Sequence, residues 1–207
     1  FGAMMVRLGH ADGLIGGVTA HYREIMRSAL QVIGMKEGST RVCGMHLVVT
    51  RKQIYFFADT TVNFTPTAEE LADIAIKTAA AVRHFDVVPR LAMLSSSDFG
   101  SAIHPESDKV RQAVEIVKKK NPELMIDGEM KADTAVVPEI IESDFPFSTL
   151  KGGANVLIFP NLDAANIAYQ LMGLIGEAEL IGPILMGMAK PVHILDHRAE
   201  VAEVVNI

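Results

Sequence analysis

The sequence predicts an α/β fold in three α/β/α layers, a mainly parallel sheet covered by helices on both sides. Three observations predict it. Segments with strand character alternate along the chain with segments at helical spacing. Several strand segments, such as those at 90–94 and 155–159, are apolar on both faces, as strands buried between two helical layers are. At 207 residues, 49% of them hydrophobic, the chain is long enough to bury a large core without disulfides or metals.

The elements follow in order. Phe1 to Leu8 reads as a helix body with no capping residue or initiating methionine ahead of it. Ala11-Asp12-Gly13 is a turn before the short apolar strand Leu14 to Val18. A helix over Ala20 to Ile33 places Ile25, Leu30 and Ile33 inward and stops at Gly34. Lys36 to Thr40 is a polar link and the best domain boundary. Val42 to Thr50 and Gln53 to Ala58 form a hairpin joined at Arg51-Lys52. Thr67-Ala68-Glu69-Glu70 after Pro66 is a capping box, and the helix it opens carries Leu71, Ile74, Ala75, Thr78 and Val82 on one face.

Arg90 to Leu94 is a strand, and Ser107 to Lys120 a helix ending in three lysines, a solvated end favoured by the helix dipole. Leu124 to Ile126 is a short strand before Asp127-Gly128. Ala132 to Ile141 is helical with a break near Pro138. Asn155 to Phe159 is a strand, Leu162 to Leu174 a helix, and Leu180 to Met188 a last strand region before Lys190-Pro191. Glu200 to Ile207 begins a helix without a C-cap, so the chain is expected to be a piece of something larger.

Composition excludes several function classes. Nineteen basic against 25 acidic residues leave a net charge of −6, the wrong sign for a nucleic-acid-binding face. The longest apolar stretch, Leu180 to Ala189, is broken by Gly182, Pro183 and Gly187 and falls short of the roughly 20 residues of a membrane span. The single Cys43 makes no internal disulfide and no signal peptide is present, so the cytoplasm is the expected compartment.

Motifs for chemistry are sparse. Cys43 reads as a buried thiol. His193 and His197 have the i, i+4 spacing of metal ligands, but they follow Pro191 in a strand or loop, where that spacing loses its meaning, and no metal site is expected. Gly13, Gly16 and Gly17 do not form a dinucleotide fingerprint. The run Ser95-Ser96-Ser97-Asp98-Phe99-Gly100-Ser101 is the most informative. It joins a strand to a helix, where open α/β sheets bind ligands, and its hydroxyls and glycine can either cradle an anion or cap a polar turn.

Phe1-Gly2-Ala3-Met4-Met5-Val6, Ala11-Asp12-Gly13, Arg90 to Ser95, Ile126-Asp127-Gly128-Glu129, Leu157 to Asn161 and Gly182 to Gly187 come in the order found in phosphate acetyltransferases, which the sequence resembles along nearly its whole length. The resemblance implies a homodimer of two-domain α/β subunits with a cleft between domains. On this chain it implies residues 1–38 plus 188–207 as a partial first domain and 39–187 as an inserted second one.

In active members the stretch after the last strand resembles Lys-Pro-Val-Asn-Asp-Leu-Ser-Arg-Gly, whose serine and arginine hold phosphate. Here it reads Lys190-Pro191-Val192-His193-Ile194-Leu195-Asp196-His197-Arg198, with Asp196 at the serine and His197 at the arginine position. The family's catalytic acid falls near Glu203. A carboxylate ~4 Å from a phosphate charge costs about 4 kcal/mol at an effective dielectric near 20, and the bidentate arginine is gone. The resemblance therefore implies that acetyl transfer is lost.

The variant strip and the Ser-Asp-Phe-Gly-Ser loop most resemble the C-terminal part of bacterial hybrid NADP-dependent malic enzymes. That likeness implies a regulatory, oligomerising domain with acetyl-CoA as effector and no cofactor of its own. NADP and a divalent Mg or Mn would serve an upstream malic domain, where malate is oxidatively decarboxylated to pyruvate. An acetyl-CoA or anion cleft would draw on Arg27, Ser95, Ser96, Ser97, Lys190, His193, Asp196, His197 and Arg198. Two alternatives stand beside it: an active phosphate acetyltransferase using Arg198 and Glu203, and a domain serving assembly alone.

Overall fold

A computed structural model of the chain describes residues 1–195, 199 and 201–207. Its elements are α1 (Gly2–Arg7), β1 (Leu14–Gly17), α2 (Tyr22–Val32), β2 (Cys43–Val49), β3 (Ile54–Ala58), α3 (Ala68–Arg83), β4 (Arg90–Leu94) and α4 (Pro105–Lys120). They continue as β5 (Met125–Met130), α5 (Ala132–Val136), α6 (Pro138–Asp144), β6 (Val156–Ile158), α7 (Leu162–Leu174), β7 (Glu179–Met186), β8 (Val192–Leu195) and α8 (Val201–Asn206).

Among the described residues the strands form one sheet in the order β1-β8-β7-β2-β3-β6-β4-β5. Four pairings, β1–β8, β3–β6, β6–β4 and β4–β5, are parallel; β8–β7, β7–β2 and β2–β3 are antiparallel. Four of the seven pairings are thus parallel, in line with the expected mainly parallel sheet, and the three antiparallel ones all involve β2 or β7. The tight turn at Arg51-Lys52 forces β2 and β3 to run oppositely, and β7 returns antiparallel along the other edge of β2.

Strand alternation sends side chains to two helical layers. Met45, Phe56, Leu91, Met93 and Ile126 pack under α3 and α4, with Leu71, Ile74, Val110 and Val114 opposite. Val48, Phe57, Ala92 and Leu94 face the other way, toward Ile141, Leu150 and Ala165. A third core joins Val6, Met26, Ala29 and Ile33 of α1 and α2 to Leu185, Val192 and Ile194. Each large side chain buried in these cores contributes about 1.5–3 kcal/mol.

Local chemistry sets the element ends. The Thr67 hydroxyl accepts from the Glu70 amide at 3.3 Å while the Glu70 carboxylate accepts from the Thr67 amide at 2.8 Å, closing the predicted capping box. Pro138 starts α6 and separates it from α5, as the proline predicted.

β5 runs on past the strand end expected at Ile126, so Asp127 and Gly128 lie in its middle. Buried Asp127 accepts from Lys118 Nζ at 2.8 Å, Ser148 Oγ at 2.9 Å and the Thr149 amide at 2.9 Å, which holds it in the sheet. Gly128, at φ +138°, lies where a Cβ would approach the Met93 carbonyl to 2.6 Å. Lys118 is exposed, as expected of a solvated helix end, and also pairs with Asp127. No helix among the described residues is long and apolar enough to cross a membrane.

Candidate functional site

A cavity of about 780 Å³ opens between α7, β7 and the loop after β3, with Tyr22 of α2 and Ile194 and Leu195 of β8 on its far wall. That volume lies within the range of small-molecule pockets, about 300–1,000 Å³. A second, shallow hollow of about 190 Å³ lies at the start of β4 and β5, between Arg83, Val88 and Leu124.

Asp59, which is 3% exposed, lies behind one wall, outside the lining itself. Its Oδ1 accepts from the amides of Gly44 at 2.9 Å, Thr61 at 3.0 Å and Val62 at 3.2 Å, and its Oδ2 accepts from the Asn63 amide at 2.8 Å. This one carboxylate fixes the loop that carries Thr60 and Thr61 to the cleft.

His46 shares the β2 face of Val48. Its imidazole stacks on Tyr169 of α7, with centroids 4.2 Å apart and planes at 13°, and its Nδ1 lies 2.7 Å from Thr60 Oγ1. Burial lowers its pKa to about 4, so the ring is neutral at neutral pH. Tyr22 stands at the start of α2. Its hydroxyl is buried without a hydrogen-bond partner among the described residues. Burial first, and then the nearby Asp59 and Tyr169, push its pKa up, so it stays protonated and remains a donor. Asn166 and Gln170 bond each other along α7, Gln170 Nε2 donating to Asn166 Oδ1 at 3.0 Å. Among the described lining residues the only charged side chain is Glu179.

Of the predicted site residues, the described ones do not converge on this cavity. Ser95, Ser96 and Ser97 follow β4, which is separated from β8 by β6, β3, β2 and β7. The loop holds an anion, but that anion is the chain's own Glu129. This carboxylate is fully buried and accepts from Ser97 Oγ at 2.9 Å, the Gly100 amide at 2.8 Å and Arg111 Nε at 3.1 Å. Burial alone would raise the Glu129 pKa, but the Arg111 guanidinium and these hydrogen bonds hold it below the ordinary carboxylate range. Ser95 Oγ lies 3.1 Å from Ser107 Oγ, Ser96 is exposed, and Asp98 pairs with Lys131 at 3.0 Å.

Arg27 is exposed on α2 and Lys190 is exposed before β8; neither lines the cavity. His193 on β8 also lies outside the lining, half-buried, with its pKa lowered by burial and its buried Nδ1 unpaired among the described residues. Asp196, His197 and Arg198 lie outside the described residues, as does the side chain of Glu203. Cys43 is fully buried; burial, then the charge of Asp59, pushes its thiol pKa up, as suits a packed, unreactive thiol. No group of three or more His, Cys, Asp or Glu among the described residues is placed to hold a metal ion.

Sequence reasoning missed His46, Tyr169, Thr60 and Tyr22. The one available signal was a histidine inside the otherwise apolar run from Cys43 to Val49.

The helix-covered mixed sheet is an architecture that the chain shares with solved phosphotransacetylases. Over 99% of its length it superposes on a phosphotransacetylase from Streptococcus pyogenes with a TM-score of 0.93 and 41% identity, covering 63% of that chain. Residues 1–207 match the model of the phosphate acetyl/butaryl transferase family, and the chain belongs to that family. It is 45% identical over 207 residues to the NADP-dependent malic enzyme of Escherichia coli (strain K12), spanning 27% of that protein. It is 42% identical over 207 residues to the phosphate acetyltransferase of Bacillus subtilis (strain 168), spanning 64% of it.

Proposed function

We propose that this chain is a regulatory domain of a malic enzyme, binding acetyl-CoA in the described cleft and carrying out no acetyl transfer. In this reading NADP, a divalent metal and the decarboxylation of malate belong to an upstream domain, and the whole acts as a cytoplasmic homo-oligomer. The observation that carries the reading is the charge of the cleft. Phosphoryl chemistry needs cations where charge develops, whereas the described wall is neutral apart from the carboxylate of Glu179. The Asp196-His197 pair, at the positions of the family's serine and arginine, points the same way. Acetyl-CoA regulates only if it binds one state of the parent more tightly than the other.

Calorimetric titration of the full-length protein with acetyl-CoA tests this directly. A saturable heat is expected, and its absence at high ligand concentration sinks the proposal. A coenzyme A plus acetyl phosphate assay should give no more turnover than a heat-killed control.

The 42% identity to the Bacillus subtilis enzyme favours a second reading, an active phosphate acetyltransferase using Arg198 and Glu203. Turnover in the same assay would select it. The exposed stripe of Ile167, Leu171, Leu174 and Ile175 along and just after α7 favours assembly as at least part of the role. If Leu174→Glu leaves oligomer size unchanged, that stripe is not the interface.

A further inference from the structure

The charge and hydrogen-bond inventory of the cleft selects which part of a ligand meets this wall. The apolar side chains of Leu162, Leu174, Leu180 and Leu195 line it, and among the described lining residues none is cationic. Most of its polar groups are engaged: His46 Nδ1 with Thr60, Asn166 with Gln170 and Tyr169, and Glu179 with Asn206 Nδ2 at 2.6 Å. The Tyr22 hydroxyl differs. It is a buried donor with no partner among the described residues, and a buried polar group left unpaired costs about 1–3 kcal/mol. Phosphates are poorly suited to supply that partner, because the described wall holds a carboxylate and no cation. An uncharged chain carrying amide or thioester carbonyls can.

We propose that Tyr22 donates a hydrogen bond to a carbonyl of an uncharged acyl-pantetheine arm lying against the His46–Tyr169 wall, with the ligand's phosphates outside the described lining. This rests on the acetyl-CoA reading given above and assigns one part of that ligand to one residue. Position 22 becomes a binding residue that senses the arm and ignores the nucleotide.

The test uses the full-length protein and its Tyr22→Phe variant, titrated with acetyl-CoA and with its nucleotide fragment, 3′-phosphoadenosine 5′-diphosphate, by calorimetry or competition. Tyr22→Phe should weaken acetyl-CoA about five- to tenfold, the worth of one neutral hydrogen bond, and leave the nucleotide fragment unchanged. Its thermal midpoint should not fall, because the lost hydroxyl has no partner among the described residues. Equal acetyl-CoA affinity in the two proteins overturns the assignment while leaving the acetyl-CoA reading standing. Equal weakening of both ligands, or a drop in midpoint, also overturns it, since the residue would then act through the fold. If the unaltered protein binds no acetyl-CoA, the reading of the cleft falls and this assignment falls with it.

Discussion

The imidazole of His46 lies flat on the phenol of Tyr169, 4.2 Å between centroids and 13° between planes, joining β2 to α7 across the floor of the cleft. The stack leaves a titratable ring with little access to water: His46 is 6% exposed. Its neutrality is therefore a condition of the fold, with consequences that can be measured.

Acid should destabilise the protein through His46. The unfolded chain takes up the proton near pH 6.5, whereas the folded ring resists it down to about 4. The contribution is thus whole above the unfolded value and is lost as pH falls through the window between them. Stability should drop by up to about 1.4 kcal/mol per pH unit there. His193, its pKa also lowered by burial, adds a smaller slope of the same sign. Urea midpoints followed downward from neutral pH check this. A His46→Gln protein should show a flatter slope; identical slopes would mean that the ring titrates normally.

Replacing Glu129 with Gln should cost about 2–3 kcal/mol, the worth of its charge-assisted hydrogen bonds. The new amide would face the Arg111 guanidinium, which is 41% exposed and partly rehydrates. The carboxylate's contribution is complete above the ordinary carboxyl pKa and is lost as pH falls through its depressed folded value. Hydrogen exchange at the Gly100 amide, which donates to Glu129, should quicken in the variant. Unchanged exchange would show that the loop is held by something else.

Gly182→Ala should cost more than Gly9→Ala. Both glycines have positive φ, +146° and +75°, but a Cβ at position 9 meets nothing within 4 Å. At position 182 it would stand 2.8 Å from His46 Cδ2 and 2.9 Å from the Met45 carbonyl. Strain alone predicts about 1 kcal/mol at Gly9, and strain plus overpacking about 2–4 kcal/mol at Gly182. Thermal unfolding of the two variants decides it, and equal losses would contradict the packing at the stack.

What was legible in the sequence was whatever neighbouring residues decide together. Thr67 and Glu70 announced their helix because both halves of the cap lie within one turn. Leu162 to Leu174 announced α7 because Asn161 caps it, its Oδ1 accepting from the Ala164 amide at 2.9 Å. The resemblance along the whole chain supplied the family. The serine loop was legible as an anion cradle, but its occupant comes from β5, and no local pattern joins Ser97 to Glu129. His46 and Tyr169 were missed for the same reason: β2 and α7 meet only through the sheet. The antiparallel return of β7 was not legible because it is a matter of tertiary pairing.

The pairing of β1 with β8 sets Leu14 beside Val192 and Gly17 beside Leu195, partners from opposite ends of the chain. Closing so long a span costs roughly 4–5 kcal/mol of chain entropy before any contact repays it. On a ribosome β1 emerges long before β8 exists, so this border of the sheet cannot close until the strands between them have been made. The α1, β1 and α2 segment, including Tyr22 on the far wall of the cleft, therefore waits for β8 to find its place, and the cavity is completed only as that strand pairs.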